Sequence, residues 1–156
     1  MNWQDLCEDR SLAELPYRIE LNRHGQIVMS PHRSYHSIYQ GRIIRLLAQL
    51  LPQGEVMAEC AIETADGVRV ADAAWATQEK VRRYFDAVSW PESPEIVVEV
   101  VSPSNSETEI ASKREQLFAR GAVEFWRCDC DGCLTFHDRS GPLPASKVCP
   151  EFPQRV

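Results

Sequence analysis

No stretch of this chain is apolar for long enough to cross a bilayer, because Arg45 and Glu99 interrupt its longest hydrophobic segments well short of the roughly 20 residues a span needs. The opening MNWQDLCEDRSL lacks the basic stretch and the apolar stretch of a secretory leader. A cytoplasmic location is therefore expected. An excess of positive charge is missing too: 17 Lys and Arg stand against 23 Asp and Glu, a net −6, which argues against coating nucleic acid through bulk charge. No internal repeat is visible. The six cysteines do not form two clean Cys-x2-Cys pairs, so a zinc site is disfavoured, although Cys128, Cys130, Cys133, His137 and Cys149 are zinc-type ligands. In a reducing compartment the cysteines are expected to stay thiols and pack as small hydrophobes.

What is present is ordinary globular composition, 44% hydrophobic and 26% charged over 156 residues, enough for one domain with a core that needs no disulfide. The expected layout is a single domain over 1–156, with a core at about 17–138 and an irregular, proline-rich tail at 139–156. Tyr17 to Met29 alternates around His24 and Gly25 and predicts a β-hairpin. Ser34 can cap a helix running to about Leu51, with Ile43, Leu46, Leu47 and Leu50 on one stripe and Pro52 and Gly54 as the stop. Val56 to Glu63 and Val68 to Ala76 predict two strands joined at Asp66-Gly67. Thr77 to Pro94 has no clean periodicity beyond a helical turn over Lys80 to Phe85, and reads as a mobile or substrate-facing loop. Ile96 to Val101 is apolar on both alternating faces, which predicts a strand covered on each side. Ser106 and Glu109 form a capping box opening a helix that ends at Gly121. Val123 to Cys130 and Cys133 to His137 predict a last pair of strands around Asp131-Gly132.

Within this pattern the acid in EIVVEVVSPS is out of place. Glu99 sits in an otherwise apolar strand, and a buried, unpaired carboxylate costs several kcal/mol, so it is protonated, paired or bound to a metal. Asp72, on an earlier strand, shares its face with Val68, Val70 and Ala74, and acids on neighbouring core strands can converge. Two carboxylates suit a hard divalent ion such as Mg²⁺ or Mn²⁺, which keeps waters and accepts substrate phosphate as further ligands. A nearby amine can orient water or offset charge on the phosphorus centre. Lys113 and Arg114 both border the apolar stripe of the second helix, and helical geometry alone does not choose between them.

These residues resemble the Uma-type family of restriction-endonuclease-like proteins, a branch of the PD-(D/E)XK nuclease superfamily. The likeness spans about Tyr17 to Asp138 and rests on IELNRHGQIVMSP, His36, VRVAD with Asp72, VVEVVSPS with Glu99, Lys113, and GAVEFW from Gly121. It implies an α/β (α+β) fold with a restriction-endonuclease-like αβββαβ core, a mixed central sheet flanked by helices and an N-terminal β-hairpin. That core agrees with the element order read from periodicity. The resemblance also implies Asp72 and Glu99 as metal ligands and Lys113 as the catalytic lysine. Two departures stand out: Ala71 replaces the usual proline before Asp72, and Val101 stands where the wider superfamily places lysine. The second suits a lysine moved to the following helix, provided that Lys113 points at the acids.

The leading expectation is a Mg²⁺- or Mn²⁺-dependent DNA endonuclease, with a homodimer possible only by analogy with enzymes that cut both strands. The alternatives are a catalytically inactive nuclease-fold module that binds nucleic acid or a protein partner, and a zinc-stabilised interaction protein. Glu99 could instead form a structural ion pair with Lys113 or Arg114, and Asp72 could serve backbone hydrogen bonds. His36 and Glu59 are secondary candidates: His36 also fits a surface or capping histidine at a helix start, and Glu59, with Glu63 on the same strand, could add a ligand or be an ordinary strand-face acid. Arg42, Arg45 and Arg114, with Lys80, Arg82, Arg83 and Arg120, could form a cationic track for DNA or simply be solvated. Phe125 and Trp126 fit core packing better than a base-stacking platform.

Overall fold

The computed structural model describes residues 2–13, 15–103 and 105–156; Ser104, the last residue of VVEVVSPS, lies outside them. A hairpin of β1 (Tyr17–Asn22) and β2 (Ile27–Pro31) precedes the long helix α2 (Ser34–Leu50), then a second hairpin of β3 (Gly54–Thr64) and β4 (Gly67–Thr77). After these come β5 (Ile96–Val100), the helix α4 (Glu107–Ala119), and β6 (Glu124–Cys128) with β7 (Leu134–Asp138). Four features depart from the sequence expectation. A short helix α1 (Trp3–Glu8) opens the chain, with Asn2 and Asp5 forming a capping box. Ser34 is the first residue of α2 and not its cap; the capping position is Arg33, with no side-chain hydrogen bond. The supposed loop after β4 contains α3 (Gln78–Tyr84), and its end is tied to β3 where Trp90 N–H donates to Ala61 O at 2.8 Å. The tail is not wholly irregular, since β8 (Gly141–Leu143) adds to β7.

The strands form one eight-stranded sheet in the order β2-β1-β4-β5-β6-β7-β8, with β3 paired to β4. Among the described residues, β5 and β6 are the only parallel strand pair, and α4 supplies the crossover that a parallel pair requires. The two faces bury separate cores. On one face Ile43 and Leu47 of α2 pack with Trp75, Val98, Trp126 and Phe136; on the other Ile110, Leu117 and Phe118 of α4 pack with Ala74, Val97 and Phe125. Phe125 and Trp126 are thus core residues, as their pattern predicted.

One buried acid ties residues 146–148 of the tail to the sheet. Both Glu124 oxygens are used: Oε2 accepts from Trp126 Nε1 at 2.7 Å and from Ser146 Oγ at 2.6 Å, while Oε1 accepts from the Lys147 and Val148 N–H groups at 2.6 and 3.0 Å. This carboxylate in GAVEFW brings residues 146–148 back over the sheet, so Phe152 packs on Trp126 with ring centroids 4.6 Å apart.

The sheet forks at β4, and the fork positions the site. β1 pairs with β4 only at Gly67 and Val68, and β5 pairs with it only at Ala73 to Trp75. Residues 69–72 of β4 therefore have no partner from either strand, and polar side chains fill the opening. Gly67 permits the junction: its φ is +98°, and a Cβ there would collide with the Leu21 carbonyl of β1.

Candidate active site

Four elements deliver charged side chains into the fork. β1 carries Arg18 and Glu20, β4 carries Asp72, β5 carries Glu99, and α4 carries Lys113. Glu99 points to the α4 side because Val97, two residues before it, packs there with Ile110 and Leu117. Lys113 lies in the buried stripe of α4 with Ile110 and Leu117, so it faces the sheet. Asp72 is fully buried and Glu99 is 2% exposed.

The groups bond to one another closely. Lys113 Nζ donates to Glu20 Oε1 at 2.7 Å and to Val70 O at 2.8 Å, and is ion-paired with Glu99 Oε1 at 2.8 Å. Two of its protons are thus given to hydrogen bonds, and Glu99 is held by charge. Glu20 Oε1 also accepts the Val70 N–H at 2.9 Å, so Glu20 and Lys113 complete the ladder bonds that β4 lacks at the fork. Arg18 Nη1 lies 2.5 Å from Asp72 Oδ1 and 3.3 Å from Glu99 Oε2. Asp72 Oδ2 accepts the Val100 N–H at 2.7 Å and lies 3.2 Å from His36 Nε2. His32 stacks on His36 with centroids 4.0 Å apart.

Opposite Asp72 the β3–β4 ladder skips a rung: pairing passes from Ala58↔Ala73 to Cys60↔Ala71, and Glu59 between them has a left-handed φ of 52°. A non-glycine residue in that region costs of order 1 kcal/mol. Gln40 spans the gap, donating through Nε2 to Asp72 O at 2.6 Å and to Glu59 Oε1 at 2.7 Å. Glu59 thus supports the Asp72 backbone from the far side of Gln40.

The electrostatics divide the two acids. Burial pushes the Asp72 carboxyl up, but the His36 hydrogen bond and the Arg18 charge overcome it and hold Asp72 below its ordinary range. Burial pushes Glu99 up to about 7, with Lys113 pulling against it and Asp72 adding to it. Glu20 is held down: Lys113 and Arg18 outweigh its desolvation.

Two open clefts flank this group. One, of about 730 Å³, is lined by Arg18, Ser30, His32, Arg33, His36 and Asn105, among others; the other, of about 510 Å³, is lined by Arg18, Glu20, Glu99, Arg69, Asn105 and Lys113, among others. The structure therefore brings Asp72, Glu99, Lys113 and His36 together, with Glu99 and Lys113 lining the smaller cleft, His36 the larger, and Asp72 buried behind them. Arg42, Arg45 and Arg114 line neither cleft: Arg42 lies over the Tyr39 ring and Arg114 beside Glu115. Nor do Lys80, Arg82, Arg83 and Arg120 line either of them. Lys80 is buried and donates to Ser93 O at 2.8 Å. The expected loop after β4 is likewise remote from the site. Cys130 lies beyond the end of β6 and is exposed, whereas Cys128 is buried, so the two do not share a packed strand face.

The Uma2 family profile, whose description reads "Putative restriction endonuclease", matches residues 4–141. The chain belongs to the Uma2 family. A solved structure titled "putative nuclease belonging to DUF820 from Anabaena variabilis ATCC 29413" superposes on it with a TM-score of 0.74, covering 100% of this chain and 94% of that one at 14% identity. At that identity the likeness shows the fold, a mixed α/β nuclease-like sheet flanked by helices. No curated protein matches the chain. Among the described residues of this Uma2 protein, no three His, Cys, Asp or Glu side chains form a cluster able to enclose a metal. Two carboxylates do converge, however, with one oxygen of each on a single cationic nitrogen. That donor set suits a hard ion that uses one or two carboxylates and keeps the rest of its shell for water and phosphate.

Proposed function

We propose that this Uma2-family protein is a Mg²⁺- or Mn²⁺-dependent endonuclease that hydrolyses DNA phosphodiester bonds at the fork of its sheet. The observation that carries the reading is the convergence of Asp72 and Glu99, from antiparallel neighbours β4 and β5, on one cation position, Arg18 Nη1, whose side chain lines both clefts while Glu99 lines the smaller one.

Asp72 and Glu99 would hold the ion. When bound, it supplies Lewis-acid stabilisation of phosphate charge and lowers the pKa of water. Asp72 is kept ionised and oriented by His36 and the Val100 N–H. Lys113, clamped by Glu20 and the Val70 carbonyl, presents a fixed positive charge beside Glu99, where it steadies the attacking water and offsets charge growing on the phosphoryl oxygens. Arg33 and His32, on the rim of the larger cleft, offer donors to the DNA backbone.

The test is conversion of supercoiled plasmid by the purified chain with Mg²⁺ or Mn²⁺ against a chelator control. Ion-dependent cleavage that disappears in Glu99→Gln supports the reading; no cleavage of duplex, single-stranded or structured DNA under any divalent ion removes it. One observation favours a second reading, a nuclease-fold module that binds nucleic acid or a protein partner without cutting. Arg18 and Lys113 pair with the carboxylates, on oxygens that an ion would use. Ion-independent DNA binding without cleavage is the expected behaviour of that module.

A further inference from the structure

The cation position between Asp72 and Glu99 is held by a cation of the chain itself. An arginine tied down for structural reasons uses its planar fork to bond one carboxylate through two nitrogens. Arg18 does otherwise. A single nitrogen, Nη1, reaches both carboxylates, and its Nε is buried with no hydrogen-bond partner among the described residues. A buried donor left unsatisfied weakens the arrangement, and the side chain borders both clefts, which gives its long stem space to rotate without moving β1.

We propose that Arg18 is an exchangeable counter-ion, so that a divalent ion enters only as the guanidinium withdraws into the adjoining cleft, and Arg18 thereby sets the metal affinity of the site. This rests on the reading of Asp72 and Glu99 as metal ligands. The Arg18 guanidinium offsets part of the charge of the two carboxylates, which lessens the cost of burying them. The same contact is a competitor that the ion must displace, and the apparent affinity falls with the fraction of molecules in the open arrangement.

The test is calorimetric titration of Mn²⁺ into the metal-free full chain, comparing wild type with Arg18→Gln. The neutral variant is expected to bind Mn²⁺ about tenfold more tightly or better, the factor for an open arrangement populated at about a tenth or less. Should Arg18→Gln fail to fold, Arg18→Met keeps the apolar stem, and melting curves with and without Mn²⁺ give a second readout: the neutral variant should gain more stability from the ion than wild type. Equal affinity in the two proteins, lost from both on Asp72→Asn, overturns the exchange and leaves the metal site standing. Mn²⁺ binding that survives Asp72→Asn, or no binding by either protein, removes the metal site and the exchange with it.

Discussion

Glu20 Oε1 lies 2.7 Å from Lys113 Nζ, joining the first strand of the hairpin to the helix that follows the Glu99 strand. The same oxygen accepts the Val70 N–H, so one carboxylate anchors the amine and closes the open edge of β4. Glu20→Ala leaves a buried ammonium and a buried backbone donor without that partner. The expected cost is about 3 kcal/mol or more, read as a lowered denaturant midpoint, and Glu20→Gln should lose less because its amide oxygen still accepts. A midpoint unchanged in Glu20→Ala would show that the contact holds nothing.

His36 is expected to act through Asp72. Its Nε2 is 3.2 Å from Asp72 Oδ2, so His36→Ala frees the carboxylate to turn. Mn²⁺ affinity should fall about 10- to 100-fold, as for other partners of metal ligands. His36→Gln, which carries an amide donor at a similar reach, should recover part of the loss. Equal affinity for the Ala variant and wild type would remove His36 from the site.

Stability should depend on pH through Glu99 in the absence of divalent ions. Its carboxyl titrates at about 7 when folded, against an ordinary 4.5. Below the lower value both states are protonated; between the two, the folded chain keeps a proton that the unfolded chain has lost. Stability therefore declines as pH rises through that window, by up to about 1.4 kcal/mol per pH unit. Asp72, held below its ordinary value, works the other way and loses its contribution only in more acidic solution. Urea midpoints taken in a chelator at about pH 5 and about pH 7.5 should converge in Glu99→Gln. A decline as steep in the variant as in wild type would assign it to another group.

The tail clasp should matter to folding and not to chemistry. Glu124→Ala strips partners from Trp126 Nε1, Ser146 Oγ and the N–H groups of Lys147 and Val148, a loss of about 3 kcal/mol or more. Thermal melting should show it, while Mn²⁺ affinity of the remaining folded protein stays near that of wild type. A large change in Mn²⁺ affinity with little loss of stability would contradict this division.

Much of this arrangement was legible in the sequence for a physical reason. Glu99 and Asp72 stand out because each interrupts a run of buried apolar residues, and Lys113 because it shares a helical stripe with Ile110 and Leu117. Arg18 and Glu20 were not legible. In YRIELN they occupy alternate polar positions, which read as the solvent face of a hairpin; only the fork between β1 and β5 turns that face inward. The arginines on α2 carried the right charge for DNA, but charge says nothing of direction. The end of the chain was read as irregular because its prolines break periodicity, while the bonds that order it come from upstream: from Glu124 in the motif GAVEFW and from the Gly132 and Leu134 backbone, which bonds to Val156 and Gln154. The helix α1, at six residues, is too short to show a period at all.

Anomalous scattering from crystals soaked in Mn²⁺ tests the central claim most directly. The expected result is a peak bonded to one oxygen each of Asp72 and Glu99, at about 2.1 to 2.2 Å by analogy with other hard divalent ions, with Lys113 still held by Glu20. A fully soaked crystal with no peak at that position, or with peaks only at surface acids, would contradict the assignment of Asp72 and Glu99 as the metal ligands of a nuclease.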